Sequence, residues 1–72
     1  MDIVKVFASN VKKYRTLKGL SQEAFADKAG LHRTYIRAVE REKRSIALDN
    51  IQKIADALEI ETYLLFMDSK QY

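Results

Sequence analysis

Nothing in this chain can be stapled. Its 72 residues include no cysteine and a single histidine, which closes off disulfides, thiolate-bound zinc, iron–sulfur clusters and His-rich metal sites. A chain this short buries only about 60% of the surface its unfolded form exposes. Below roughly 70–80 residues a staple is the usual remedy. What remains is close helix packing, a partner chain, or both. With 47% hydrophobic and 32% charged residues, the composition is that of one folded soluble domain and not of a disordered segment. The lack of thiols fits a reducing compartment.

The opening MDIVKVFASNVKKYR carries spread lysines and no apolar h-region, so it does not read as a signal peptide. The longest apolar run, Tyr63 to Met67, is far short of the ~20 residues of a spanning helix. No repeat or linker interrupts the chain. We therefore expect a single unit over residues 1–67 and a short loose tail over 68–72.

The apolar spacing predicts helices throughout. Val4, Phe7, Val11 and Tyr14, with Ala8 and Leu17, form one stripe from Ile3 to Lys18, which Gly19 ends. Leu20 then turns into the core. Ser21 caps a second helix, Gln22 to about Lys28, with Phe25, Ala26 and Ala29 inward. Gly30 stops it, and a third helix runs from about Arg33 to Arg41 with His32 near its cap. A short helix, a glycine-containing turn and another short helix make a helix-turn-helix. A fourth helix spans about Leu48 to Leu58, with Leu48, Ile51, Ile54, Ala55 and Leu58 as its buried face. A fifth spans about Thr62 to Met67. The fold class is all-α, a compact five-helix domain.

Charge separates along the chain. Residues 1–44 carry eleven Lys/Arg against five Asp/Glu, net +6, while residues 45–72 carry two against five, net −3. A basic face turned to a polyanion, with the acidic end away from it, fits this polarity; a plain solvated helix surface is the bland alternative. The more pointed feature is in the third helix. Arg33, Arg37 and Arg41 fall at four-residue spacing, which sets three guanidiniums along one side. They repel one another unless something negative lies in front of them.

At these residues the chain becomes recognisable. The segment GLSQEAFADKAGLHRTYIRAVEREKR, followed by LDNIQKIADALEI, resembles the phage-repressor and Cro type of helix-turn-helix domain, lambda-repressor-like in fold. Through LHRTYI, the loop after Glu40 and the LDNIQKIADAL helix it is most similar to the controller proteins of restriction–modification systems. The resemblance covers roughly residues 4–67. It implies a transcriptional regulator that binds double-stranded DNA sequence-specifically as a homodimer, on a pseudo-palindromic operator of restriction–modification genes including its own. RNA polymerase joins the partners if the protein activates. Such a regulator is cytoplasmic and nucleoid-associated.

Residue by residue, the resemblance places His32, Arg33, Thr34, Arg37 and Ala38 at base edges. It places Gln22, Lys43, Arg44, Ser45 and Asn50 at the DNA backbone, and it pairs Arg15 with Glu40 to tie the first helix to the third. It gives dimerisation to the fifth helix. Physical chemistry agrees in outline. A helix fits the major groove, and Arg33 and Arg37 can each present two donors to guanine O6 and N7. Ala38 offers only apolar contact to a thymine methyl. Tyr35 is expected to bond phosphate or pack on the turn, and Arg41 to bond phosphate or pair within its helix. His32 is as well explained as a turn residue as by a base contact.

One short helix reads only ~4 base pairs, so two-fold pairing is needed, with half-sites ~34–36 Å apart. Ile60, Tyr63, Leu64, Leu65, Phe66 and Met67 supply more apolar surface than one small core absorbs and are expected at the interface, with burial in the monomer core as the other reading. Two departures from the family stand out: Glu42 where the family has glycine, and Ile46-Ala47 where it caps the next helix with serine after proline.

No enzyme is expected. The chain has no serine–base grouping and no glycine-rich phosphate loop, and the acids Glu59 and Glu61 lie in a chain with no room for a cleft. No cofactor is expected either. The alternative from another class is an antitoxin that represses its own toxin–antitoxin genes.

Overall fold

A computed structural model describes residues 1–68. Four α-helices, α1 (Ile3–Leu17), α2 (Gln22–Ala29), α3 (Arg33–Glu40) and α4 (Leu48–Leu58), are followed by a short 3-10 helix, Thr62–Phe66. Residues 69–72 of the expected tail lie outside the described residues. The fifth helix is thus a 3-10 turn and not an α-helix. Five residues supply too few i to i−4 hydrogen bonds to offset helix nucleation, and Leu64 N–H instead donates to Glu61 C=O at 3.1 Å.

Every α-helix ends the same way. The residue past the last turn has positive φ, and the next N–H reaches back to a carbonyl five residues earlier: Leu20 to Arg15, Leu31 to Ala26, Lys43 to Ala38 and Ile60 to Ala55, at 2.9–3.1 Å. This 6→1 bond satisfies a carbonyl the helix leaves open. Leu20, Leu31 and Ile60 also fold back onto the core. Gly30 holds the left-handed position in the helix-turn-helix at φ 71°, but Glu42 and Glu59 hold it after α3 and α4, at φ 62° and 59°.

Glu59 is compensated. Lys28 Nζ donates to its carboxylate at 3.0 Å and Lys18 Nζ lies 3.5 Å away. The Lys28 hydrogen bond, with the Lys18 charge nearby, holds its carboxyl below the usual carboxylate value. Glu42 makes no ion pair or side-chain hydrogen bond among the described residues. Glu42→Gly should therefore raise stability by about 0.5–1 kcal/mol, the left-handed penalty relieved less the extra chain entropy of glycine. A thermal melt of the two proteins checks this, and a midpoint no higher in the variant would show that the turn carries no strain.

The core gathers Phe7 and Val11 of α1, Phe25, Ala26 and Ala29 of α2, Ile36 and Val39 of α3, and Ile54, Ala55, Ala57 and Leu58 of α4. Leu65 of the 3-10 helix completes it, with no exposed surface. Of the two readings open for Leu65, core or interface, this burial within one subunit favours the core. Phe66 stacks at the edge of the core, its ring 5.3 Å from that of Phe7.

Leu48 is a correction in the other direction. Expected in the buried face, it is 85% exposed. Steps of three residues rotate around a 3.6-residue helix by about −60° each, so Leu48 lies about 120° from Ile54. Asn10, by contrast, is buried on α1 and donates from Nδ2 to the carbonyls of Leu65 and Met67 at 3.0 and 2.9 Å. That one amide fastens the C-terminal segment to α1.

Candidate nucleic-acid interface

Ser21 Oγ accepts from Ala24 N–H at 3.0 Å and so fixes where α2 begins. The same start places Gln22 beside α3. Glu40, at the far end of α3, is the hub beneath the exposed face of that helix. Arg15 Nε and Nη2 donate to its two carboxylate oxygens at 2.7 and 3.0 Å, and Gln22 Nε2 donates at 3.1 Å. Arg15 Nη1 donates in turn to Leu20 C=O at 2.7 Å. The Glu40 side chain is 3% exposed. One carboxylate therefore ties the end of α1, the turn before α2, the start of α2 and the end of α3 together. Gln22, expected at phosphate, has its amide nitrogen oriented by this hub.

Around the first turns of α3, His32, Arg33, Thr34 and Arg37 are exposed and Ala38 is half-buried. His32 occupies the cap position without a side-chain hydrogen bond. Arg33 Nη1 donates to Glu23 Oε2 at 3.2 Å, so one of the three aligned arginines has an internal partner. Arg37 and Arg41 form no ion pair among the described residues. The repulsion expected along the 33/37/41 side is accordingly relieved at its first member only.

Behind that helix a second group assembles. Tyr35 is half-buried, its hydroxyl accepts from Asn50 Nδ2 at 3.1 Å, and the Arg44 guanidinium lies 5.1 Å from its ring centre. His32, Thr34, Tyr35, Ala38, Arg44 and Asn50 border one shallow hollow. Residues assigned separately to base edges and to the DNA backbone are thus brought together. Lys43 and Ser45 are exposed in the adjoining loop. Ala47 caps α4 without a side-chain bond, and at that helix start Asn50 N–H donates to Asp49 Oδ1 at 3.0 Å.

The sequence pattern passed over two links within this site. Glu23 carries no local signal beyond that of a first-turn acid, and its partner Arg33 lies ten residues away, across the turn. The Tyr35–Asn50 bond joins positions 15 apart, a separation that leaves no periodic trace. No group of three His, Asp or Glu among the described residues could hold a metal ion, and no helix there is long and apolar enough to cross a membrane.

The arrangement is a basic helix start, exposed, on a rigid base, with neutral hydrogen-bonding groups and a cationic loop at its flank. It is suited to a polyanion with readable edges. Comparison with known proteins gives the same answer. The helix-turn-helix family model matches residues 11–65. A hypothetical transcription factor of Neisseria meningitidis serogroup B is 44% identical over 70 residues, which cover 97% of this chain and 66% of that protein. Its crystal structure superposes with a TM-score of 0.93. The restriction–modification controller protein C.AhdI of Aeromonas hydrophila is 46% identical with a TM-score of 0.85, over 88% of this chain and 96% of that one. The controller C.Esp1396I, solved as a tetramer in complex with its natural 35 base-pair operator, is 32% identical with a TM-score of 0.84, over 92% of this chain and 87% of that one. This chain belongs to the helix-turn-helix family of sequence-specific DNA-binding regulators, and its likeness within that family is to the controller proteins of restriction–modification systems.

Proposed function

We propose that the protein is a homodimeric regulator that sets α3 of each subunit in the major groove of one half of a pseudo-palindromic operator, at restriction–modification genes including its own. The observation that carries this reading is the exposed start of α3: Arg33, Thr34 and Arg37 stand clear of the domain while Glu40 and Tyr35 of the same helix are fastened from behind. Arg33 and Arg37 read guanine, with Thr34, His32 and Ala38 completing the base contacts. Gln22, Tyr35, Arg41, Lys43, Arg44, Ser45 and Asn50 hold the backbone. Where the operator lies beside a promoter, RNA polymerase is the further partner of an activator. The protein works in the cytoplasm, on the nucleoid.

The second subunit covers an apolar surface. Tyr63 is 62% exposed, and Leu48, Ile51, Ile60 and Phe66 border one open hollow. With Leu64 and Met67 they form the dimer face. Leu48 and Ile51 thereby join the expected set, and Leu65 leaves it. Pairing across this face buries surface that the small core leaves wet.

Footprinting on duplex from its own upstream region tests the reading. Arg33→Ala and Arg37→Ala should each weaken the site by about 1–3 kcal/mol per half-site, on the order of tenfold or more, while binding to random duplex falls far less. Variants that footprint like the parent would remove α3 from the groove. Failure to bind random duplex even at low salt would remove DNA altogether.

A further inference from the structure

The DNA-facing portion of this chain, net +6, has five acids. Asp2 caps α1 by accepting from Val4 and Lys5 N–H groups, Glu40 is the buried hub, and Glu42 occupies the left-handed turn. The other two, Glu23 and Asp27, lie four residues apart on α2 and border a hollow with His32 and Arg33, at the edge of the reading surface. A carboxylate there repels phosphate and lowers affinity for every duplex. The ion pair adds little to stability, since the side chains of Glu23 and Arg33 are 67% and 71% exposed, and as a first-turn acid of α2 Glu23 serves the helix start whether or not it meets Arg33.

Geometry supplies another reason. Glu23 Oε2 takes Nη1 of Arg33 at 3.2 Å, and no other bond among the described residues engages the guanidinium. Nε and Nη2, a parallel pair of donors on one edge of the rigid fork, remain free, and such a pair matches O6 and N7 of one guanine. A long side chain held at one corner loses less freedom when it docks. Once DNA excludes water, the held pair strengthens. The same carboxylate penalises an Arg33 that swings out to a phosphate, because the acid is then left unpaired beside a polyanion.

Resting on the reading that Arg33 contacts bases, we infer that Glu23 is a positioning residue for specificity: it aims Arg33 at guanine and taxes binding to DNA that lacks it. Selectivity of this kind combines an attractive element with a repulsive one.

The test uses the full chain and a duplex it selects from a random pool. Equilibrium binding is measured for that duplex, for random duplex, and for the duplex changed at the base pair where Arg33→Ala loses discrimination. Glu23→Gln should bind random duplex more tightly than the parent. It should also lose about threefold to tenfold of the discrimination at that base pair, with a thermal midpoint lowered by no more than the few degrees that loss of a first-turn acid explains. In an Arg33→Ala background Glu23→Gln should leave discrimination as it is. The inference is overturned if Glu23→Gln shifts all duplexes by one factor, or if its effect on discrimination persists without Arg33. If Arg33→Ala alone discriminates like the parent at every position, base reading by Arg33 fails first and this inference falls with it.

Discussion

Glu40→Ala is expected to cost about 3–5 kcal/mol, because it leaves the Arg15 guanidinium enclosed without its counter-charge. Arg15 Nε and Nη2 and Gln22 Nε2 all converge on the Glu40 carboxylate. For 72 residues the whole stability is roughly 4–11 kcal/mol at ordinary values per residue. The variant should therefore lose from about a quarter to all of that stability, and a urea titration followed by circular dichroism reads the loss directly. Removing both charges is a different experiment. Arg15→Met with Glu40→Leu fills the same space without a buried ion, and should be well above Glu40→Ala in stability. It should nevertheless bind operator less well than the parent, because Gln22 then has no acceptor to orient it. A Glu40→Ala protein within about 1 kcal/mol of the parent would show that apolar packing alone locks α1 to α3, against the value expected for a broken buried pair.

What the chain reveals before folding is mostly its punctuation. Ser21, Gly19 and Gly30 act locally, and the structure has them where local rules put them. Glu42 stands out only through the family resemblance, which implies glycine there, and its positive φ is that of a turn suited to glycine. Glu59 carried no such flag. Its left-handed backbone follows the end of α4, and its partners Lys18 and Lys28 come from two other helices, a convergence that periodicity cannot express. Leu48 was misplaced because three-residue spacing looks like a stripe over one step and drifts off it over two. Asn10 went unremarked although Phe7, Asn10, Val11 and Tyr14 fall at helical spacing, since a polar residue in a stripe has no visible purpose until its two carbonyl acceptors are in place. The exposed start of α3 was legible for a simpler reason: exposure there follows directly from which residues α3 buries.

Leu65 and Leu48 separate the two roles once given together to the end of the chain. Leu65 packs in one cluster with Phe7, Val11, Ile54 and Leu58, fully enclosed. Leu65→Ala should cost about 2–5 kcal/mol through lost transfer energy and the cavity left behind. Because that cavity lies inside one subunit, the loss should be the same at low and high protein concentration. Leu48 is at the surface, so Leu48→Lys should scarcely alter the stability of an isolated subunit and should instead lower the dimer fraction in sedimentation equilibrium. Operator affinity would then fall with dilution more steeply than for the parent, since in the proposed complex each half-site holds one subunit of a pair. A Leu65→Ala protein that keeps its subunit stability and loses only self-association would return Leu65 to the interface. In that case the Asn10 amide, which donates to the Leu65 carbonyl, would be fastening a contact surface and not a core residue.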